Sequence, residues 1–131
     1  MRDLILLDRP GSWLLPAVER LHSLRKLPEG WKDEGSHPLQ QAAVKPALAL
    51  LAALSEQMPN PPHIGPLADG GVQISWERRG HALEFFINGE GSVEYLTEHP
   101  TAGTTEQVLQ VASSPIGEEV RPFIRSFLLG V

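Results

Sequence analysis

Five histidines, three tryptophans and sixteen carboxylates are the side chains of this 131-residue chain most able to do metal, stacking or acid–base chemistry. Their spacing decides what they can do. His22, His37, His63, His81 and His99 are scattered, and none forms an H-x-H or H-x-x-x-H pair. The richest stretch is LPEGWKDEGSHPLQ, residues 27–40. Its Asp33, Glu34 and His37 come nearest to a ligand set, since carboxylates with an imidazole hold zinc or manganese. A fourth ligand is missing, and acids placed there also complement the dipole of a following helix. The expectation is a capping or solvent role and no metal.

A serine nucleophile needs an activating base and a sharp turn to present it. No G-x-S-x-G elbow occurs, and Ser12 and Ser36 read as helix caps. GEG at positions 89–91 has no phosphate-loop pattern around it and falls between two strands, so it reads as turn chemistry. Glu77, Glu84 and Glu94 form a carboxylate row on one strand face. Paired acids do acid–base work only in a cleft that shifts their pKa values, and these are expected in water opposite Arg or Lys. Catalysis therefore has no support in the residue pattern, and no cofactor is expected.

The net charge is −5, which disfavours a general nucleic-acid binder because phosphate binding needs a basic surface. Glu77-Arg78-Arg79 is the only tight basic cluster in the second half and suits a hairpin tip. There is no cysteine, which excludes disulfides, thiolate metal sites and a cysteine nucleophile. The apolar run at residues 4–7 is too short for a signal peptide, and no window approaches a membrane span. A cytoplasmic protein without membrane association is the expectation.

The elements that must position these groups follow from periodicity. The length suits one domain, residues 1–131. A first helix is expected over residues 13–27, capped by Ser12, with Leu14, Val18, Leu21 and Leu24 on one stripe. A second, central helix is expected after Ser36 as N-cap with Pro38 just inside. Leu39, Ala43, Ala47, Leu50, Leu51, Leu54 and Met58 mark its apolar face, and Pro46 predicts a kink or a late start. Residues 59–71 are rich in proline and glycine and read as an extended arm without regular structure. Three strands alternate as Val72, Ile74, Trp76, then Leu83, Phe85, Ile87, then Val93, Tyr95. Turn residues join them into an antiparallel meander covered on one side. Residues 104–112 are ambiguous, with a slight lean to a strand. A last helix is expected from Ser114, with Pro115 at its first position and a bend at Pro122. The fold class is thus α+β, two-layer: an antiparallel meander of three to four strands covered on one face by helices, in the order α-α-β-β-β-(β)-α. Trp31 is expected to plug into the core between the two helices and the sheet.

The stretch LPEGWKDEG, the capped alanine-rich helix, the proline connector, ADGGVQISWE and the FINGEGSVEYL hairpin occur in an order that resembles a group of small, largely uncharacterised bacterial proteins. Their pattern runs roughly Leu-Pro-x-x-Trp-Asp-Gly-x-Gly-Ala, a helix, Pro-x-x-x-Pro and a Gly-Gly-x-x-x-x-Trp strand. The likeness covers about residues 27–96. The chain departs from it at Lys32, where an acid is usual, and at Asp33, where glycine is usual. Members of that group look like accessory proteins beside toxin-like or mobile-element genes, so the resemblance implies a partner-binding role and no reaction.

The leading expectation is a non-enzymatic interaction protein, antitoxin-, immunity- or accessory-subunit-like. It would bind a protein partner such as a toxin or larger complex, or form a homodimer. Phe86 and Leu96 break the polar strand face and are the expected contact patch, with Arg78, Arg79 and Trp31 as further contact residues. The alternative is a small-molecule sensor or small enzyme with a pocket between the sheet and residues 59–71, lined by Trp31, Trp76, His63 and His81.

Overall fold

The computed structural model describes residues 13–101, 103–109 and 121–129. Helix α1 spans Leu14–Arg25 and helix α2 spans Gln41–Ser55. Five strands follow: β1 His63–Pro66, β2 Val72–Arg78, β3 His81–Ile87, β4 Val93–His99 and β5 Gly103–Leu109. Helix α3 spans Arg121–Leu129. The strands form one open antiparallel sheet in the order β1-β2-β3-β4-β5. The two-layer α+β expectation holds, with five strands.

Period-two alternation sorts the strands as the sequence requires. Val72, Ile74, Trp76, Leu83, Phe85, Ile87, Val93 and Tyr95 are all buried on one sheet face. Against them pack Ala17, Leu21 and Leu24 of α1, and Ile124 and Phe127 of α3. All seven residues of the expected α2 stripe, from Leu39 to Met58, are buried, which makes α2 the central helix. Two tryptophans anchor this core. Trp13 and Trp76 meet edge to face with ring centroids 5.8 Å apart, and Trp76 meets Phe85 in the same way at 6.4 Å. Their indole N–H groups donate to the Met58 and Asn60 carbonyls, so neither is buried without a partner.

The turns carry the expected chemistry. Arg79 and Gly80 both have positive φ, +50° and +83°, as a two-residue type I′ hairpin requires. The Asn88 side-chain carbonyl accepts the N–H groups of Glu90 and Ser92, both at 3.0 Å, and closes the β3–β4 turn.

Four expectations are corrected. The arm at residues 59–71 contains β1, which pairs with β2 from His63↔Ser75 to Pro66↔Val72. Four residues that follow two prolines and end in a third carry no strand signal of their own, and the edge of β2 supplies the partner. Ser36 does not cap α2, whose N-cap is the extended Gln40. Residues 37–40 are instead held extended by three main-chain bonds, His37 N–H to Ala68 O, Leu39 N–H to Leu24 O and Gln40 N–H to Gly70 O. Pro38 also disfavours helical geometry at His37. Of the two outcomes expected at Pro46, the late start is excluded, since one helix runs from Gln41 through Pro46. Proline cannot donate to the Ala42 carbonyl, and the Gly91 backbone packs close against that oxygen. Trp31, finally, is only partly buried and lies outside the core.

Of the ambiguous segment 104–112, residues 104–109 belong to β5, paired in register with β4, and 110–112 lie outside the described residues. Ser12, Ser114, Pro115, Ile116 and Val120 lie outside the described residues. No described helix is long and apolar enough to cross a membrane.

Candidate functional site

The described helices all cover one face of the sheet, and the other face carries the side chains of opposite parity. On β3 and β4, Phe86 faces Gln73 and Glu94 across the ladder, while Leu96 faces Glu84 and stands in register with Glu106. Since Glu84 is opposite Leu96, Phe86 two residues further on is its diagonal neighbour. That spacing, about 7–8 Å, is within reach of an aromatic ring. Both are partly exposed. The structure therefore brings together the two residues expected to form a patch.

Carboxylates frame this pair. Glu77, Glu94 and Glu98 are exposed and Glu84 is partly exposed. None lies opposite an arginine or lysine, which corrects the expected charge pairing. Their ladder partners are Ala82, Ser75, Leu96, Phe86, Val108 and Thr104. Glu84 accepts a bond from Gln73 Nε2 at 3.2 Å, and Glu98 one from Thr104 Oγ1 at 3.4 Å. An apolar pair among carboxylates whose ladder partners are uncharged presents negative potential around a desolvatable centre.

Arg78 and Arg79 do not join this patch. Arg78 has the parity of Val72, Ile74 and Trp76 and so belongs to the helix-covered face, and Arg79 sits exposed in the β2–β3 turn.

Trp31 lies at one end of the sheet in a self-contained loop. Its indole N–H donates to the His37 carbonyl at 2.7 Å. Ser36 organises the loop from inside. It is buried, its Oγ accepts the N–H groups of Lys32 and Asp33, and its hydroxyl donates to the Asp33 carbonyl at 2.7 Å. Glu29 pairs with His37 Nδ1 at 2.6 Å on the exposed side. The Asp33, Glu34 and His37 grouping does not close on an ion: among the described residues no three histidine, aspartate or glutamate side chains are placed to hold a metal.

Asp69 ties this end together, a role without a signal in its own spacing. Its carboxylate accepts the N–H of Gly71 at 2.9 Å and that of Gly89 at 3.2 Å, clasping the β1–β2 turn to the β3–β4 turn. The two glycines are needed for closeness. A Cβ at Gly71 would strike the Ile87 carbonyl, and one at Gly89 the Asp69 carbonyl.

At the opposite end of β2 a cleft of about 390 Å³ opens between residues 58–63, the Ser75–Trp76–Glu77 segment and Phe127 and Leu128 of α3. It occupies the place expected for a pocket between sheet and arm. Trp76 and His63 line it; Trp31 and His81 do not. His81 is buried behind it, edge to face with His99 at 4.7 Å and with Phe127 at 6.2 Å.

The fold and face define a two-layer α+β domain with helices on one side of an open antiparallel sheet. No family model, no curated protein and no solved structure matches the chain.

Proposed function

We propose that this chain is a non-enzymatic protein-interaction module of the antitoxin, immunity or accessory-subunit kind, which docks a basic partner protein on the outer face of its sheet. The observation that carries this reading is the diagonal Phe86–Leu96 pair, on the face opposite the described helices and framed by Glu84, Glu94 and Glu98. Apolar centres of this kind hold most of an interface's binding energy, and the surrounding charges steer the encounter. The same carboxylates disfavour a homodimer through this face, since like charges would be brought together. A homodimer is better served by β5, the outermost strand at one side of the described sheet. The small-molecule alternative rests on the cleft, but two of its four expected side chains, Trp31 and His81, lie elsewhere.

The test is affinity capture from the native host with three baits. Wild type and Leu15→Glu, an exposed helix-face control, should retain one partner that salt releases. Phe86→Glu should lose it, by about thirtyfold for an interface centre worth roughly 2 kcal/mol. A sharply monomeric protein with no partner, or equal capture by Phe86→Glu, would remove the basis for the reading.

A further inference from the structure

Antiparallel ladders alternate, so successive residues of β2 send their main-chain groups to opposite neighbours. The two-residue turn at Arg79 and Gly80 makes Arg78 and His81 a bonded pair, so Ile74, Trp76 and Arg78 bond toward β3. Gln73, Ser75 and Glu77 therefore face the β1 side. The far end of the ladder has the same phase. Leu67 N–H bonds to Gly71 O, and the register continues through Gly65↔Gln73 and His63↔Ser75. The next pair in this series would be residue 61 with Glu77.

Residue 61 is a proline and has no N–H to give. β1 begins only at His63, and the chain before it turns away, with the Asn60 carbonyl accepting the Trp76 indole N–H at 2.9 Å. The cleft described above opens at this point, with Pro61 and Glu77 on its walls and Met58, Phe127 and Leu128 supplying apolar surface. The Glu77 N–H and C=O thus face a cleft with no partner among the described residues. A main-chain donor and acceptor on one strand edge, one residue wide, match the donor and acceptor of another extended chain. The volume sits at the lower end of ligand sites, room for one anchoring side chain. The exposed Glu77 carboxylate beside it favours a basic neighbour in that chain.

We propose that this cleft binds an extended, lysine-flanked peptide segment of a partner by main-chain addition to β2 at Glu77, seating one aliphatic side chain against Met58, Phe127 and Leu128. This site is separate from the Phe86–Leu96 face and does not rest on that reading.

The test is an amide NMR titration of the full chain with acetyl-Lys-Val-Leu-Val-Lys-amide, with its counterpart carrying phenylalanine at the centre, and with the leucine peptide N-methylated at both valines, the residues that fall opposite Glu77 when the central side chain enters the cleft. The unmodified peptides should move Ser75, Glu77, Arg78 and Leu128 signals and slow exchange of the Glu77 amide. N-methylation, which removes the main-chain donors on the Glu77 side, should weaken binding about tenfold. Glu77→Pro, tolerable at a strand edge, should weaken it similarly, while Phe86→Glu should leave it unchanged. No shift with either unmodified peptide at millimolar concentration would overturn the proposal. So would equal binding of the N-methylated peptide, which would mark an apolar small-molecule pocket, or shifts centred on Phe86 and Leu96.

Discussion

Replacing Trp31 separates a core plug from a partly exposed loop residue. A buried tryptophan cut to alanine costs about 3–5 kcal/mol. Trp31 is only partly buried, and its one hydrogen bond runs to the His37 carbonyl six residues on. That bond is worth about 1 kcal/mol net, and the covered part of the ring, on the order of 100 Å², adds roughly 2 kcal/mol at roughly 25 cal/mol per Å². Trp31→Ala should therefore cost about 3 kcal/mol, the low end of that range, with a Tm decrease of roughly 10 °C. Trp31→Phe keeps much of the covered area and loses the N–H, so it should cost about 1 kcal/mol. Trp76→Ala, in the core beside Trp13 and Phe85, should cost the full 3–5 kcal/mol or prevent folding.

Urea unfolding gives these values directly, and fluorescence gives an independent reading of exposure. Trp13 and Trp76 are 5 % and 4 % exposed, so Trp31 should carry most of the acrylamide-quenchable emission. Trp31→Phe should leave a weakly quenched protein with nearly native stability. Unchanged quenching in Trp31→Phe would refute the placement of this ring outside the core.

Other perturbations read other parts of the structure. Asp69→Ala removes both turn-clasping bonds and should cost about 1–3 kcal/mol in urea unfolding; Asp69→Asn keeps one acceptor and should cost about half as much. Gly71→Ala drives a methyl into the Ile87 carbonyl and should destabilise by about 2 kcal/mol or more, whereas Gly35→Ala meets no close atom and carries only the penalty of its positive φ. Ser36→Ala strands the Lys32 and Asp33 amides and should cost about 1–2 kcal/mol, with faster amide exchange at both residues as the local signature. Phe86→Glu should change stability by no more than about 1 kcal/mol while abolishing partner capture.

The strands that could be read from sequence were those whose signal is local. β2, β3 and β4 alternate cleanly, and Arg79-Gly80 and Asn88-Gly89 announce their turns, so register and covered face follow almost directly. β1 could not be read because its four residues follow two prolines, end in a third and become a strand only against β2. The start of α2 was misplaced for a related reason. Ser36 and Pro38 have helix-start spacing, but Leu24, Ala68 and Gly70 supply main-chain partners that hold residues 37–40 extended, and those partners are distant in sequence. Phe86 and Leu96 were legible as exceptions to a polar face. The open edge at Glu77 was not, since it depends on the phase of a ladder that includes the hidden strand.

The 27–40 loop, the β1–β2 turn and the β3–β4 turn meet at one end of the sheet, and their contacts there explain these residue types without a ligand. Ser36 builds the loop, Asp69 clasps two turns, and Gly70, Gly71 and Gly89 admit neighbouring chain where a Cβ would collide. The proposed binding features lie away from that end. Phe86 and Leu96 sit on the outer sheet face, and Glu77 is five residues along β2 from Val72, roughly 17 Å at strand rise. Loop end and binding surface should therefore separate experimentally. Variants at Asp69 or Gly71 should lower stability and leave partner affinity unchanged in the folded fraction. Variants at Phe86 should do the reverse. If Asp69→Asn weakened binding as much as Phe86→Glu while remaining folded, the partner would have to engage the loop end, and LPEGWKDEGSHPLQ would be contact surface as well as brace.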